Sequence, residues 1–253
     1  MSGAGLLIVN ADDLGLEVLD TDAILACWNR GALTSATAMM WMRDSTRAAE
    51  LAKAAGIPVG LHLNLIEPFS DPDVPEDVAA TQRRVVDRLR AAHRGRYVFH
   101  PEWVRDFESC IAAQLAWFVE CYDRPPTHID GHQHMHLVAN ALLSRALRGV
   151  GRFRRPVNRT SRESPAARRL ARAVLARAVR VRFTTTDRCF SIRALDPALG
   201  GTGVADKLAP ARTGSVEVYV HPGWKDEFAV LTSPAWQAAL AGYRLGSYSD
   251  LAG

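Results

Sequence analysis

Short apolar runs of β character alternate with longer helix-like segments along most of this chain, and that rhythm constrains the fold more than any other feature. Candidate strands are Leu6 to Asn10, Thr34 to Met40, Val59 to Leu65, Thr127 to Asp130, Phe153 to Val157 and Ser215 to Val220. Candidate helices fall between or after them, at Val18 to Arg30, Ser45 to Ala55, Glu102 to Tyr122, Leu137 to Arg148, Pro165 to Arg180 and Pro234 to Tyr243. Such alternation predicts an α/β fold with a parallel sheet and crossover helices, and argues against an antiparallel sandwich. Ser164 before Pro165 and Ser233 before Pro234 each place a capping hydroxyl ahead of a first-turn proline. Glu67 to Glu76, with three prolines and four acidic residues, reads as a surface loop near a site. With 253 residues and 48% hydrophobic content the chain can bury a large core, so global disorder is excluded and one domain over residues 1–253 is expected.

The opening MSGAGLLIVN has no basic leader, and its apolar run Leu6 to Val9 is too short for a signal peptide or a membrane span. A cytoplasmic protein is therefore expected. The four cysteines, Cys27, Cys110, Cys121 and Cys189, lie far apart without paired spacing, so they are expected to be buried reduced thiols. The net charge of +4 conceals an asymmetry: residues 145–193 hold 15 arginines against Glu163 and Asp187, which makes that block +13 and the remainder −9. An Arg-rich amphipathic helix is expected there, with Leu170, Val174, Leu175 and Val179 on one face and packed on the outside of the domain. The block is read as a solvated helix face first, and as a surface for phosphates or an anionic membrane second.

Four polar clusters carry the chemistry. Asn10 to Gly15, N-A-D-D-L-G, follows the first strand; adjacent carboxylates there point in different directions, so one can hold a metal while the other handles a proton. In Val59 to Leu65, V-G-L-H-L-N-L, His62 and Asn64 share one face of a strand. Thr127 to His136, T-H-I-D-G-H-Q-H-M-H, contains four of the chain's eight histidines. If that segment is extended, His128, Asp130, His132, His134 and His136 line one side, a face too polar for a core without a ligand. In Val216 to Gly223, V-E-V-Y-V-H-P-G, His221 follows a strand and Pro222-Gly223 makes the turn. Strand ends of parallel sheets converge on one mouth, so the four clusters together point to a metal-dependent catalytic site. A mixed nitrogen and oxygen donor set favours zinc or another transition ion over magnesium.

These motifs, in this order, resemble the YdjC-like carbohydrate deacetylase family over residues 6 to about 224. The resemblance implies a (β/α) barrel, TIM-barrel-like though distorted or incomplete, related to the polysaccharide deacetylases. It also implies one divalent metal ion, zinc or magnesium, and an N-acetylglucosamine-containing substrate such as diacetylchitobiose. Carried over by position, the metal ligands are Asp13, His62 and His132, the general base is Asp12, and His221 sits where a histidine can protonate a leaving amine. Asn64, Asp130, His134 and Arg155, the last in the R-R-P-V segment, are the expected substrate-binding residues. Gly131 and Gln133 depart from the family's serine and histidine, and the basic segment Arg152 to Arg193 matches poorly. A hopanoid-linked branch deacetylates a lipid-borne amino sugar, which an Arg-rich amphipathic helix in peripheral contact with a membrane would suit. No nucleic-acid partner is expected, and a homodimer is left open.

Two rival readings use the same residues. A metal-dependent phosphoesterase would share the Asp/His cluster but want a basic lining for phosphate. A non-enzymatic protein would bind an anionic ligand through the arginine block and use the histidines only to store metal.

Overall fold

The computed structural model describes residues 5–158, 166–195 and 203–251. Its regular elements in chain order are β1 (Leu6–Leu14), α1 (Val18–Trp28), β2 (Ser35–Ala38), α2 (Ser45–Ala54), β3 (Val59–Leu63), α3 (Glu76–Ala92), α4 (Val104–Tyr122) and β4 (Ile129–Gly131). There follow α5 (Ala139–Leu142), α6 (Ala166–Arg182), β5 (Arg188–Ser191), α7 (Ile192–Leu195), α8 (Val204–Leu208), β6 (Ser215–Val220), α9 (Lys225–Leu231) and α10 (Pro234–Leu240). Hydrogen-bonded strands run in the order β4-β3-β2-β1-β6-β5. The pairs β1·β6, β5·β6 and β3·β4 are parallel, and β2 follows β1 at a constant offset, Thr34 N to Val9 O and Met39 N to Leu14 O. The α/β expectation holds. Six strands are present among the described residues, with β4 and β5 ending the order, where a complete TIM barrel has eight.

The chain divides into two compact units: Met1–Asp12, Asp22–Ala36 and Gly151–Gly253 form one, Asp13–Thr21 and Thr37–Val150 the other. In the first unit, β1 and β6 are buried, as parallel strands between helical layers must be: Leu7, Ile8 and Val9 fill both faces of β1, while β6 turns Val216, Val218 and Val220 to one face and Glu217 and Tyr219 to the other. Phe153 stacks on Phe183 with ring centroids 4.5 Å apart. At the start of α10 the Ser233 hydroxyl accepts from Trp236 N, which makes the expected cap. The Trp236 ring is buried and donates Nε1–H to Ala32 O at 3.2 Å.

In the second unit, α4 presents a stripe of buried residues at helical spacing, Phe107, Cys110, Ile111, Gln114, Phe118 and Tyr122. Truncating Phe107 or Phe118 to alanine would cost about 3–5 kcal/mol by the usual cost of emptying a packed core position. Gln114 carries one polar pair into this apolar stripe: its Oε1 accepts from Asn64 N and its Nε2 donates to Asn64 O, both at 2.8 Å. That amide clamps the chain just beyond β3.

Several expectations need correction. Phe153 to Val157 is not a strand: Pro156 has no amide to donate, and the pairing described there is the isolated bridge Arg152↔Thr184. The fifth strand is Arg188–Ser191, too short to show a period. Leu137 to Arg148 breaks into α5 and a 3-10 turn, Arg145–Leu147, because the Ser144 hydroxyl accepts from Ala146 N and caps the turn. The sequence reading also missed α3, whose buried face is small and partly polar: Ala79, Gln82, Val85, Val86 and Leu89. On α6 the buried residues are Ala176 and Val179, while Leu170 and Val174 are 68% and 64% exposed, so the expected apolar face is split. The Ser164–Pro165 cap lies outside the described residues. No described helix is long and apolar enough to cross a membrane.

Candidate functional site

The C-terminal end of β1 delivers Asp13 into the second unit with a left-handed backbone, φ 68°, and Gly15 two residues on has φ 85°. A side chain on Gly15 would lie 3.0 Å from Ser45 Cα, so this turn suits glycine. One oxygen of Asp13, Oδ1, faces two imidazole nitrogens: His62 Nε2 at 3.2 Å and His132 Nδ1 at 2.9 Å. One ligand atom from each of the three residues falls within 4.8 Å of the others. On the far side of the His62 ring, Nδ1 lies 2.8 Å from Asp130 Oδ1, and Thr37 Oγ1 donates to Asp130 Oδ2 at 3.0 Å. Asp130, fully buried, accepts from His62 Nδ1, which leaves Nε2 as the nitrogen that faces Asp13.

Without a proton on Nε2, its lone pair would meet the Asp13 oxygen at 3.2 Å, a repulsion that a cation bound by both would remove. Burial alone would raise the Asp13 pKa; the contacts to His132 and His62 outweigh it and hold the carboxyl well below the usual range. An ionised carboxylate with two imidazoles is the donor set of a catalytic divalent-metal site that keeps positions open. The residues present therefore fit a metal ion.

Beyond Gly131 the histidine segment is not extended as expected. His132–Leu137 is a 3-10 stretch interrupted at Gln133 and His134, whose φ values are 50° and 60°. The chain doubles back so closely that a Cβ on Gly131 would meet His136 Cβ at 2.9 Å and His136 N at 3.0 Å. His128 and His136 are consequently buried, and His134 is partly exposed, its ring 6.2 Å from that of His136. Extended geometry would have aligned all four histidines; the fold presents His132 alone to Asp13.

In the first unit Asp12 meets a different partner. Arg154, fully buried, donates Nη1 to Asp12 Oδ2 at 2.6 Å and Nη2 to Oδ1 at 2.7 Å, and its Nε reaches Glu217 Oε1 at 2.8 Å. Asn10 Nδ2 adds a bond to Asp12 Oδ1, and Tyr248 OH donates to Glu217 Oε2 at 2.6 Å. The bidentate fork fixes the Asp12 carboxylate plane. One guanidinium thus balances two buried carboxylates, and burial beside Glu217 pushes the Tyr248 phenol far above its ordinary range.

His221, also in the first unit, stacks on Trp224 at 4.3 Å and sets Nδ1 3.5 Å from Glu227 Oε2. That oxygen also accepts from His221 N at 2.6 Å, while Arg193 Nε holds Glu227 Oε1 at 2.9 Å. A buried carboxylate behind an imidazole stabilises its protonated form.

The structure brings Asp13, His62 and His132 together and seats Asp130 behind His62. Asn64 is engaged otherwise: its amide donates to Glu67 O and accepts from Ile66 N and Glu67 N, tying off the loop after β3. Arg155 directs its guanidinium to the carbonyls of Thr186 and Asp187, so its neighbour Arg154 is the arginine on Asp12. Sequence reasoning missed Arg154, Glu217, Glu227 and Thr37. Glu217 left a signal, a lone acid inside the apolar strand S-V-E-V-Y-V; nothing in R-R-P-V distinguishes Arg154 from Arg155.

Comparison with known proteins gives concordant results. A family model described as YdjC-like protein matches residues 6–242. The chitooligosaccharide deacetylase of Serratia marcescens is 28% identical over 274 residues, covering 97% of this chain and 99% of the relative. That of Klebsiella pneumoniae (strain 342) is 28% identical over 278 residues, with the same coverage. A crystal structure from Enterococcus faecalis V583, provisionally named a cellobiose-phosphate cleavage protein, has a TM-score of 0.69 at 24% identity and covers 99% of this chain and 100% of that one, which shows a shared fold.

Proposed function

Since the chain belongs to the family of YdjC-like proteins, we propose that it is a metal-dependent hydrolase that releases acetate from an N-acetylated amino sugar in an oligosaccharide or glycolipid, residues 1–253 acting as one deacetylase domain. The observation that carries this reading is the single Asp13 oxygen facing two imidazole nitrogens, one of them on a ring oriented by the carboxylate behind it. The names of the relatives, chitooligosaccharide deacetylases, supply the substrate class.

Asp13, His62 and His132 would hold one divalent ion, with zinc or another transition ion favoured by the nitrogen donors and magnesium the alternative. Bound there, the ion would supply Lewis acidity toward an acetamide carbonyl and lower the pKa of water. Asp12 accepts the proton of the attacking water as its oxygen bonds to the carbonyl carbon. Arg154 keeps that carboxylate oriented, a positioning role. His221, backed by Glu227, delivers a proton to nitrogen as the C–N bond breaks, leaving acetate and a free amino sugar. Asp130 orients His62, and His134, at the partly exposed edge of the segment, is assigned to the substrate side.

The test is acetate release from N-acetylglucosamine oligomers and from glycolipid acetamides, with metal stripped by chelator and then restored. Activity should vanish and return. Asp12→Asn and His221→Ala should each lower kcat by about two to four orders of magnitude while the protein still binds metal. Near-wild-type turnover in both variants, or acetate release that ignores the chelator, refutes the assignment.

A further inference from the structure

After α10 the backbone returns to the start of β1 in the first unit. Leu7 N donates to Arg244 O at 2.9 Å, Gly246 N donates to Leu7 O at 3.1 Å, and Leu7 and Leu245 form a parallel bridge. Tyr248–Asp250 then makes one 3-10 turn closed by a capping box, in which Ser249 N donates to Ser247 Oγ at 3.2 Å and Ser247 N to Asp250 Oδ2 at 2.8 Å. Tyr248 and Leu251 pack with Leu6 and Ile8 in one buried cluster. Sheet pairing, cap and packing thus fix this turn against β1.

Packing accounts for the ring of Tyr248 and leaves its hydroxyl to be explained, because a buried phenol oxygen needs a partner that a phenylalanine would not. Burial, and then Glu217 beside it, push the phenol far above its ordinary range, so it stays protonated and donates to Glu217 Oε2 at 2.6 Å. Glu217 is the β6 partner of Ile8, which sets its side chain on the face where Ile8 and Tyr248 meet. Its other oxygen, Oε1, accepts from Arg154 Nε at 2.8 Å, and the far edge of that guanidinium forks onto Asp12 at 2.6 and 2.7 Å. The guanidinium is planar, so the carboxylate that fixes Nε also aims the Nη1–Nη2 edge. The Tyr219 ring, its centroid 5.1 Å from Arg154 Cζ, supports the same group from its face. With Oε2 taken by the Tyr248 hydroxyl, Glu217 meets Nε without drawing the fork away from Asp12. Freed of that hydroxyl, it would turn both oxygens to the guanidinium, the geometry a carboxylate and an arginine prefer.

We propose that the turn after α10 is a working part of the catalytic centre: Tyr248, acting through Glu217 and Arg154, is a positioning residue for Asp12. The inference rests on the role given to Asp12 above and extends it to a residue beyond 6–242, the span that the family model matches.

The experiment compares wild type with Tyr248→Phe, Glu217→Gln and the double variant. Tyr248→Phe keeps the packed ring and deletes the donor. One readout is kcat and KM for acetate release by metal-loaded protein. The other is solvent exchange of the Arg154 Nε–H, followed by heteronuclear NMR on metal-free protein, the resonance being assigned by its loss in Arg154→Lys. Tyr248→Phe should lower kcat and speed the exchange, each by about tenfold, the loss expected for one hydrogen bond to a charged group, with KM changed less than about twofold. In the Glu217→Gln background the same substitution should change neither, since the route runs through that carboxylate. If loss of the hydroxyl leaves exchange and kcat untouched, lowers kcat equally in both backgrounds, or raises KM with kcat unchanged, the proposal is overturned. Faster exchange in Tyr248→Phe with no acetate release by wild type supports the tether onto Asp12 and refutes the hydrolase reading. Acetate release by wild type with kcat unmoved in Tyr248→Phe refutes the tether and leaves that reading standing.

Discussion

Arg154 is the side chain whose removal the structure predicts most sharply. It is fully buried, and its guanidinium donates to two buried carboxylates, those of Asp12 and Glu217. In Arg154→Met the apolar volume is largely kept, but Asp12 loses the guanidinium fork and keeps the Asn10 amide, while Glu217 loses the guanidinium and keeps the Tyr248 hydroxyl. Breaking a buried pair and stranding the partner charge costs about 3–5 kcal/mol. At roughly 2–4 °C per kcal/mol for a chain of this size, the melting temperature should fall by about 6–20 °C. Adding Glu217→Gln to Arg154→Met removes one stranded charge and should recover part of that loss, while kcat stays depressed because Asp12 remains unheld. Thermal melts and acetate-release kinetics on the two single variants and the double variant decide it. A loss below about 1 kcal/mol in Arg154→Met, or a double variant less stable than either single one, would refute the account of one cation serving two carboxylates.

Three further outcomes follow from the geometry. Asp130→Asn leaves the metal ligands intact but replaces the charged acceptor behind His62 with a neutral amide that accepts more weakly, so metal affinity measured by competition with a chelating dye should fall about 10–100-fold. Gly131→Ala must push the His136 backbone away and should cost about 1–3 kcal/mol in denaturant unfolding, with His132 displaced and metal binding weakened. Burial pushes the thiols up, Cys27 and Cys121 to about 11 and Cys110 to about 12, so at pH 8 native protein should react with thiol reagents far more slowly than unfolded protein. Because those folded values lie above the unfolded ones near 9, their contribution to stability is present below pH 9 and is lost as the pH rises through 11 to 12, which alkaline melts would register.

Much of this architecture was legible because buried parallel strands leave short apolar runs, unbroken in Leu6 to Val9 and interrupted only by Glu217 in Val216 to Val220. β5 was not, since four residues are too few to show a period, and Arg188 at its start is exposed. The three ligand positions were reached through motif order and not through pattern. An extended reading of Thr127 to His136 treats His134 and His136 as equals of His132, and only the reversal after Gly131 separates them. Two of the partners that tune the site were hidden by distance: Thr37 and Arg154 act across gaps of 93 and 142 residues, and no local spacing reports such pairings.

Asp13, Gln133 and His134 all hold positive φ around the same centre. A non-glycine residue in that region carries roughly 1–2 kcal/mol of backbone strain, so a search for heat-resistant variants would be drawn to glycine at these positions. The tougher protein so obtained would have surrendered a carboxylate at Asp13, or loosened the turn that aims His132. Thermal hardiness and turnover pull against each other within a handful of residues, and selection for the first alone should erase the second.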